Sequence, residues 1–204
     1  MTKGAIYNVS RFRIHTDGEG FTTLVGMFYC SLSCKYCLNK HYGFHSIHVH
    51  HIEVDELIKS LSIDDLFFRM SGGGITFGGH EPLLQEDFLI EFCQKKPSYW
   101  KINIQTSLNV DIKHFDKLIS FVDHWIVDIK DINPHIYSHY TNQPNHNMLQ
   151  NLDYLLCHCD HQKVTIRIPL IPNYNTDDDR IQSMEYLTLL YGDDIHYDLF
   201  TYHT

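Results

Sequence analysis

Three cysteines lie within one eight-residue run, at Cys30, Cys34 and Cys37. Their spacing is C-x3-C-x2-C, and an aromatic residue, Tyr36, comes directly before the third cysteine. Three thiolates on one short loop can bind three irons of a [4Fe-4S] cluster and leave the fourth iron without a protein ligand. Because such an iron can chelate a small molecule, the spacing predicts a catalytic cluster.

A structural zinc site is the alternative for these cysteines, with His41 as a fourth ligand. Such sites usually bring their ligands in two paired arms, and the sequence contains no obvious second arm. Several histidines follow the cysteines and can bind zinc, nickel or copper, although a compositional bias in a surface segment is the simpler interpretation. They are His41, His45, His48, His50 and His51.

The chain has 204 residues and a formal net charge of -9. One domain over residues 1–204 is expected, long enough to bury a core. Its 16 Lys and Arg residues do not favour the basic face that nucleic-acid binding needs. The sequence shows neither an apolar signal segment nor an apolar run of membrane-spanning length. These features predict a cytoplasmic protein that binds neither nucleic acid nor membranes, with cysteines that act as ligands rather than disulfides.

Strand and helix patterns alternate along the chain after an irregular leading strand at residues 4–14. Strands are predicted at residues 22–29, 75–77, 101–106, 125–129, 164–168 and 196–200. Helices are predicted at residues 54–61, 63–70, 83–95, 112–122, 134–140, 148–157 and 178–190. About six strands interleaved with helices predict an α/β fold with a parallel sheet, similar to a βα-barrel but too short for a closed one. Sites in such folds lie at the carboxyl ends of the strands, and the cysteine loop follows the first of them.

The cysteine spacing and the glycine-rich segment at residues 72–82 resemble the radical S-adenosylmethionine (SAM) superfamily. Within it, the chain resembles the activating enzymes of glycyl radical enzymes, the pyruvate formate-lyase activase group. The resemblance implies a partial, open (β/α)6 TIM-like barrel. It also implies two cofactors, S-adenosylmethionine and a [4Fe-4S] cluster ligated by the three cysteines.

One family motif concerns the amine of S-adenosylmethionine. The family has a Gly-Gly-Glu-Pro type stretch that contacts it, and Gly78, Gly79 and Glu81 match this stretch. Glycines at a strand end let the backbone approach a ligand closely. His80 stands between the glycines and the glutamate, where a side chain can block the ligand or add a contact.

Further candidate contacts follow the next strands. Gln105 and Thr106 stand where the family usually carries an acidic residue and then threonine; a neutral glutamine can still hydrogen-bond the ligand. Asp128 and Lys130 resemble the Asp-Leu-Lys of the activases, and the lysine can reach the ligand carboxylate. Arg167 lies in an apolar strand and is expected to point into the barrel at an anionic group, because burying an unpaired charge is costly.

Three weaker signals extend the resemblance. Residues 140–142 resemble a Tyr-Thr-Gly motif, and residues 17–20 resemble an Asp-Gly-Pro-Gly turn. His203 matches a Tyr-His motif whose histidine approaches the ribose, and Tyr36 is expected among the cofactor contacts through its place in the cysteine motif.

The resemblance implies reductive cleavage of S-adenosylmethionine to a 5′-deoxyadenosyl radical. A low-potential donor such as flavodoxin or ferredoxin would supply the electron. The radical would take a Cα hydrogen from a glycine of a partner glycyl radical enzyme. Two alternatives stay open: a radical SAM enzyme acting on another peptide or small molecule, and a non-catalytic zinc- or nickel-binding module.

Overall fold

The computed structural model describes residues 2–37 and 48–201. The strands are β1 (Lys3–Ile14), β2 (Phe21–Met27), β3 (His50–Glu53), β4 (Gly74–Gly79), β5 (Lys101–Thr106), β6 (His124–Asp128), β7 (Val164–Leu170) and β8 (His196–Thr201). The helices are α1 (Val54–Leu61), α2 (Asp65–Ser71), α3 (Glu86–Lys95), α4 (Pro134–Thr141), α5 (His146–His158) and α6 (Asp177–Tyr191).

The strands form one sheet of eight in the order β3-β1-β2-β4-β5-β6-β7-β8. Each neighbouring pair from β2 to β8 is parallel, which gives the six parallel strands predicted from the sequence. β1 lies antiparallel between β2 and β3, an extension that the sequence patterns did not predict. The sheet is open, and the prediction of a partial (β/α)6 barrel is confirmed. All six parallel strands therefore end at the same edge.

The predicted helix at residues 112–122 is wrong. Two short 3-10 turns, Ile112–His114 and Asp116–Leu118, take its place. Phe115 separates them with φ −143° and ψ −12°, outside the helical region. Its buried ring packs edge-on against Trp125, with 6.3 Å between ring centroids. The spacing of the apolar residues is compatible with one α-helix or with two 3-10 turns. The packing of Phe115 against Trp125 of β6 favours the two turns.

Apolar side chains on one face of the sheet pack under the helices. Val25, Ile75 and Ile102, from three neighbouring strands, share one buried cluster with Leu57 of α1 and Phe92 of α3. The apolar residues of α1 recur three and four positions apart, so one helix face turns to the sheet. Within the described part of the chain, no helix combines the length and apolar character needed to cross a bilayer.

The other face of the sheet is polar where the strands begin. Thr76 donates to the backbone carbonyl of Asp17 at 2.6 Å, and Thr22 donates to its carboxylate at 2.6 Å. Arg13 Nε contacts the same carboxylate at 2.5 Å. The Asp17 turn therefore seals this end of the barrel, and the cavity opens at the opposite end.

Candidate functional site

A cavity of about 840 Å³ lies at the carboxyl edge of the parallel strands. All three cysteines of the motif line it. Eight other residues predicted from the sequence also belong to its wall: Gly79, His80, Glu81, Gln105, Thr106, Asp128, Lys130 and Arg167. These eight residues lie at the ends of β4, β5, β6 and β7, and the common direction of these strands brings them together with the cysteine loop.

Left-handed backbone conformations recur at this edge. One residue with positive φ lies at or just after the end of each of β2, β4, β5, β6 and β7. They are Tyr29 (76°), Gly79 (89°), Leu108 (54°), Lys130 (64°) and Asn173 (66°). Tyr29, Leu108 and Lys130 carry conformational strain, of the kind that concentrates at functional sites and persists only where the surroundings enforce it, whereas glycine and asparagine tolerate this conformation.

The cysteine loop is attached to the end of α4. The Ser33 amide donates to the Thr141 carbonyl at 2.9 Å, and the Lys35 amide donates to the Tyr140 carbonyl at 3.0 Å. Carbonyls in the last turn of a helix have no partner within the helix, so the loop satisfies them. Asn142 ends α4 with φ 61°, a left-handed position that favours glycine or asparagine. This geometry gives residues 140–142 a physical role as the support of the cysteine loop.

The three thiols form a donor set that suits an iron–sulfur cluster. Cys30 is accessible from the cavity, yet the pKa of its thiol is raised to about 12. The main cause is desolvation by the surrounding protein, and the Glu81 carboxylate and the two neighbouring cysteines add to it. Thiolates so placed need nearby positive charge, which iron ions supply. Over residues 2–37 and 48–201, no three His, Cys, Asp or Glu side chains are gathered around the place of a single metal ion. A cluster sets a different requirement, because each thiolate binds a different iron.

Glu81 is buried and accepts hydrogen bonds at both carboxylate oxygens. Oε1 accepts from Thr106 Oγ1 at 2.6 Å and from the Leu83 amide at 3.4 Å. Oε2 accepts from the Ser107 amide at 3.0 Å and from its hydroxyl at 2.7 Å. Burial raises the pKa of Glu81, and these hydrogen bonds oppose the rise. Glu81 therefore joins the end of β4 to the end of β5. Ser107 was not among the predicted site residues, although a second hydroxyl after Thr106 was a usable signal.

His80 fills the position between the glycines and Glu81 without projecting into solvent. It is 8% exposed, and its ring lies between Tyr7 and Phe28, with centroids 5.1 Å and 5.5 Å away. Burial lowers its pKa, which favours the neutral ring. Tyr7, which also lines the cavity, was not among the site residues predicted from the sequence. Its ring crosses Gly79, where an added Cβ would lie 2.6 Å from Tyr7 Oη.

A network of buried charges follows β6 and β7. Arg167 binds Asp128 at two points, and Lys130 Nζ lies 3.3 Å from Asp128 Oδ2. Gln105 donates to the same oxygen at 3.3 Å. Burial by itself would raise the pKa of Asp128, but Lys130 and Arg167 hold it well below its usual range. The Arg167 guanidinium also lies 5.2 Å from the centroid of the Phe200 ring, over its face.

Three predicted contacts are not brought to the described cavity wall. Tyr36 packs edge-on against Tyr174 at 5.9 Å and accepts from Asn173 Nδ2 at 3.3 Å. Gly78 is not part of the described cavity wall, although an added Cβ there would be 3.1 Å from Leu24, which is. His203 lies outside the described residues. The roles of these three stay predictions.

The histidine cluster is only partly described. His48 and His50 line the cavity near the cysteines, and His51 lies on β3. His41 and His45 lie outside the described residues, so the predicted alternative of a zinc or nickel site there stays a prediction.

Comparison with known proteins points to one superfamily. The model of the radical SAM superfamily matches residues 24–187. The fold is similar to that of Streptococcus suis SuiB bound to the precursor peptide SuiA, with a TM-score of 0.67 and 10% identity. That match covers 88% of this chain and 38% of SuiB, and it concerns the fold alone.

Two curated relatives are more similar in sequence. The chain is 32% identical over 198 residues to the pyruvate formate-lyase-activating enzyme of Staphylococcus aureus (strain USA300), covering 93% of this chain and 78% of that protein. It is 34% identical over 133 residues to the (2S)-3-sulfopropanediol dehydratase activating enzyme of Klebsiella oxytoca. The second match covers 65% of this chain and only 41% of the relative's length.

Proposed function

The chain belongs to the radical SAM superfamily, and on this premise we propose that it is an activating enzyme that installs a glycyl radical on a partner enzyme. One observation carries the proposal: the C-x3-C-x2-C thiols share a cavity wall with the ion-paired Asp128, Lys130 and Arg167. A donor set for iron thus faces groups suited to an amino-acid carboxylate. The names of the two curated relatives support the choice of reaction within the superfamily.

Cys30, Cys34 and Cys37 would hold the [4Fe-4S] cluster and leave one iron open to the amino and carboxylate groups of S-adenosylmethionine. When bound, the cluster would supply the electron that cleaves S-adenosylmethionine to methionine and a 5′-deoxyadenosyl radical, and that radical would remove a hydrogen atom from glycine. The protein contributes position, charge and exclusion of water. The two hydrogen bonds to α4 would help to hold the cysteine loop in place.

The charge network would orient the carboxylate of S-adenosylmethionine. Two cations, Lys130 and Arg167, share one anion, Asp128, so the three groups together carry one positive charge. An incoming carboxylate would balance it, and Asp128 would keep both cations in place. Gln105 extends the network with a neutral donor and acceptor.

The amine would be held by backbone rather than by the Glu81 carboxylate. Glu81 already accepts four hydrogen bonds, about the full capacity of a carboxylate. Gly78 and Gly79 end β4, and glycines at a strand end let a ligand approach the backbone closely. Glu81 would then act by fixing Thr106 and Ser107 at the edge of the cavity.

The proposed partner is a glycyl radical enzyme whose glycine-bearing segment enters the cavity. A low-potential donor such as flavodoxin or ferredoxin would reduce the cluster. β3 and β8 are the two edge strands of the sheet, and His50 and Phe200 on them line the cavity. A partner segment would therefore approach between these edges.

Anaerobic reconstitution with iron and sulfide tests the proposal. The wild-type protein should bind about four irons and four sulfides per chain. With dithionite and S-adenosylmethionine it should form 5′-deoxyadenosine, measured by chromatography. Cys34→Ala should lose the cluster and the product. Cys93→Ala is the matched control, because Cys93 is a partly buried cysteine of α3 outside the described cavity wall.

Two outcomes would contradict the cluster assignment: stoichiometric zinc without sulfide in the wild-type protein, or unchanged product from Cys34→Ala. A second measurement addresses the partner. A glycyl radical gives an EPR doublet on the activated enzyme. Production of 5′-deoxyadenosine without this doublet on any candidate partner would favour a radical SAM enzyme with another substrate.

A further inference from the structure

We propose that Asp131 and Asn175 are positioning residues that hold Lys130 where it can bind the carboxylate of S-adenosylmethionine. The inference rests on the proposed function, since it concerns one contact of the proposed cofactor. Asp131 and Asn175 are not part of the described cavity wall, so any effect on that contact passes through Lys130.

Lys130 occupies a strained three-residue turn. The Asp131 amide donates to the Ile129 carbonyl at 2.8 Å, two residues back, and Lys130 between them has φ 64°. A turn of this kind with positive φ at its centre is rare and strained. A lysine there has none of the conformational freedom of glycine. The turn persists only if the neighbouring structure enforces it.

The turn determines where the lysine side chain lies. Its ammonium is 3.3 Å from Asp128 Oδ2, two residues earlier, and the side chain is only 9% exposed. Arg167 approaches the same carboxylate from β7. If the backbone at Lys130 relaxed to negative φ, the Cα–Cβ bond would point in another direction. The distance between the Lys130 ammonium and the Asp128 carboxylate would then increase.

The clamp that enforces the turn is built from two buried polar side chains. Asp131 Oδ1 accepts from the Asn133 amide at 2.8 Å, and Oδ2 accepts from Asn175 Nδ2 at 3.2 Å. Asn175 also donates to the Pro169 carbonyl at 2.9 Å and accepts from the Ile171 amide at 2.6 Å. Asn175 therefore ties the end of β7 to Asp131, the last residue of the Lys130 turn. Both strand ends that supply the charge network are fixed together.

Two variants break this clamp from opposite sides. Asp131→Asn keeps the side-chain volume and the oxygen that accepts from the Asn133 amide. It replaces the other oxygen with an NH2 group, which cannot accept the hydrogen bond from the side-chain amide of Asn175. Asn175→Ala removes the donor instead. If either variant is too unstable to purify, the other still tests the proposal.

The first readout needs no cofactor. Reductive methylation, followed by peptide mass spectrometry, reports the reactivity of each lysine. Release of the turn should speed modification of Lys130 about fivefold or more in both variants. Lys96 is the internal control, because it is partly buried and donates to the Trp100 carbonyl at 2.6 Å, away from the clamp. Unchanged reactivity at Lys130, or an equal rise at Lys96, would overturn the proposal.

The second readout is the Kd of the reconstituted protein for S-adenosylmethionine, measured by equilibrium dialysis. Asp131→Asn should weaken binding about tenfold, and in a Lys130→Met background the same change should alter Kd less than about twofold. Additive effects would show that Asp131 does not act through Lys130. Asp64→Asn is the control, because Asp64 is a buried aspartate that contacts Thr23 near the start of β2. The Kd of this variant for S-adenosylmethionine should stay at the wild-type value. Absence of binding by the wild-type protein would refute the proposed function, while the methylation result would still decide the role of the clamp.

Discussion

Arg167 binds Asp128 through two hydrogen bonds, from Nε to Oδ1 at 2.6 Å and from Nη2 to Oδ2 at 3.1 Å. Lys130 contacts the same carboxylate, so Asp128→Asn would leave two mostly buried cations without their anion. Removing one partner of a buried ion pair costs roughly 3 kcal/mol or more. We expect a loss of that size in the free energy of unfolding, measured by urea titration at pH 7.

The same pair predicts a pH dependence. The pKa of Asp128 is lower in the folded protein than the value of about 3.9 in an unfolded chain. The stability that the ionised carboxylate contributes is therefore complete above about pH 5 and is lost progressively as the pH falls toward the folded pKa. The difference in unfolding free energy between wild type and Asp128→Asn should shrink between pH 6 and pH 3. A constant difference would contradict this account.

Thr106 predicts a second effect on stability. Its hydroxyl donates to Glu81 at 2.6 Å and accepts from the Leu108 amide at 2.9 Å. Thr106→Val removes both bonds and leaves buried polar atoms unsatisfied, at a cost of about 2 kcal/mol. Thr106→Ser keeps the hydroxyl and should cost less than about 1 kcal/mol. Equal losses for the two variants in urea unfolding would argue against the hydrogen bond as the cause.

Gly79 and Gly72 separate backbone strain from steric conflict. Both have positive φ, 89° and 72°, but an added Cβ at Gly79 would lie 2.6 Å from Tyr7 Oη, whereas Gly72 has no such atom within 4 Å. Gly72→Ala should therefore show only the conformational cost, about 1 kcal/mol. Gly79→Ala should cost about 2–3 kcal/mol, because the Tyr7 ring must also move. Thermal unfolding of both variants, and of Gly79→Ala combined with Tyr7→Ala, would distinguish the two contributions. In the Tyr7→Ala background, Gly79→Ala should lose less stability than it does in the wild-type protein, because the steric conflict with the Tyr7 ring is gone.

His124 gives a pH dependence at the other end of the barrel. Burial, and then His196, lower its pKa, while Glu19 opposes them; its Nε2 lies 2.9 Å from Thr165 Oγ1. Since the folded pKa lies below the unfolded value of about 6.5, the unfolded chain takes up a proton that the native protein resists. Stability should fall as the pH drops below about 6.5. His124→Gln should lose less stability than wild type between pH 7.5 and pH 5 in urea unfolding. An identical loss would exclude His124 as a source.

Much of the fold was predictable because the strands are short, apolar and separated by turns. β5 and α1 occupy the residues predicted for them, and the six interleaved strands form a parallel sheet as predicted. The antiparallel addition of β1 and β3 was not predicted, because alternating polarity does not specify the partner of an edge strand. Packing on Trp125 prevented a helix around Phe115, and local spacing contains no information about that contact.

The candidate site shows a similar division. Motif spacing identified the cysteines, Glu81 and the Asp128–Lys130 pair as residues of one edge, since parallel strands end together. It did not reveal that four protein donors occupy Glu81, that Tyr36 turns to Tyr174, or that Tyr7 crosses the sheet to contact His80. These relationships depend on side-chain packing between segments far apart in the chain.

The hydrogen bonds from the Ser33 and Lys35 amides to the last carbonyls of α4 tie the shape of the cysteine loop to a distant part of the molecule. The cysteine loop can make these two hydrogen bonds only once the second half of the chain has folded and that helix end has formed. A nascent or misfolded chain would present its thiols separately and assemble no cube. Insertion of the proposed cluster would thus depend on prior folding of the second half of the barrel.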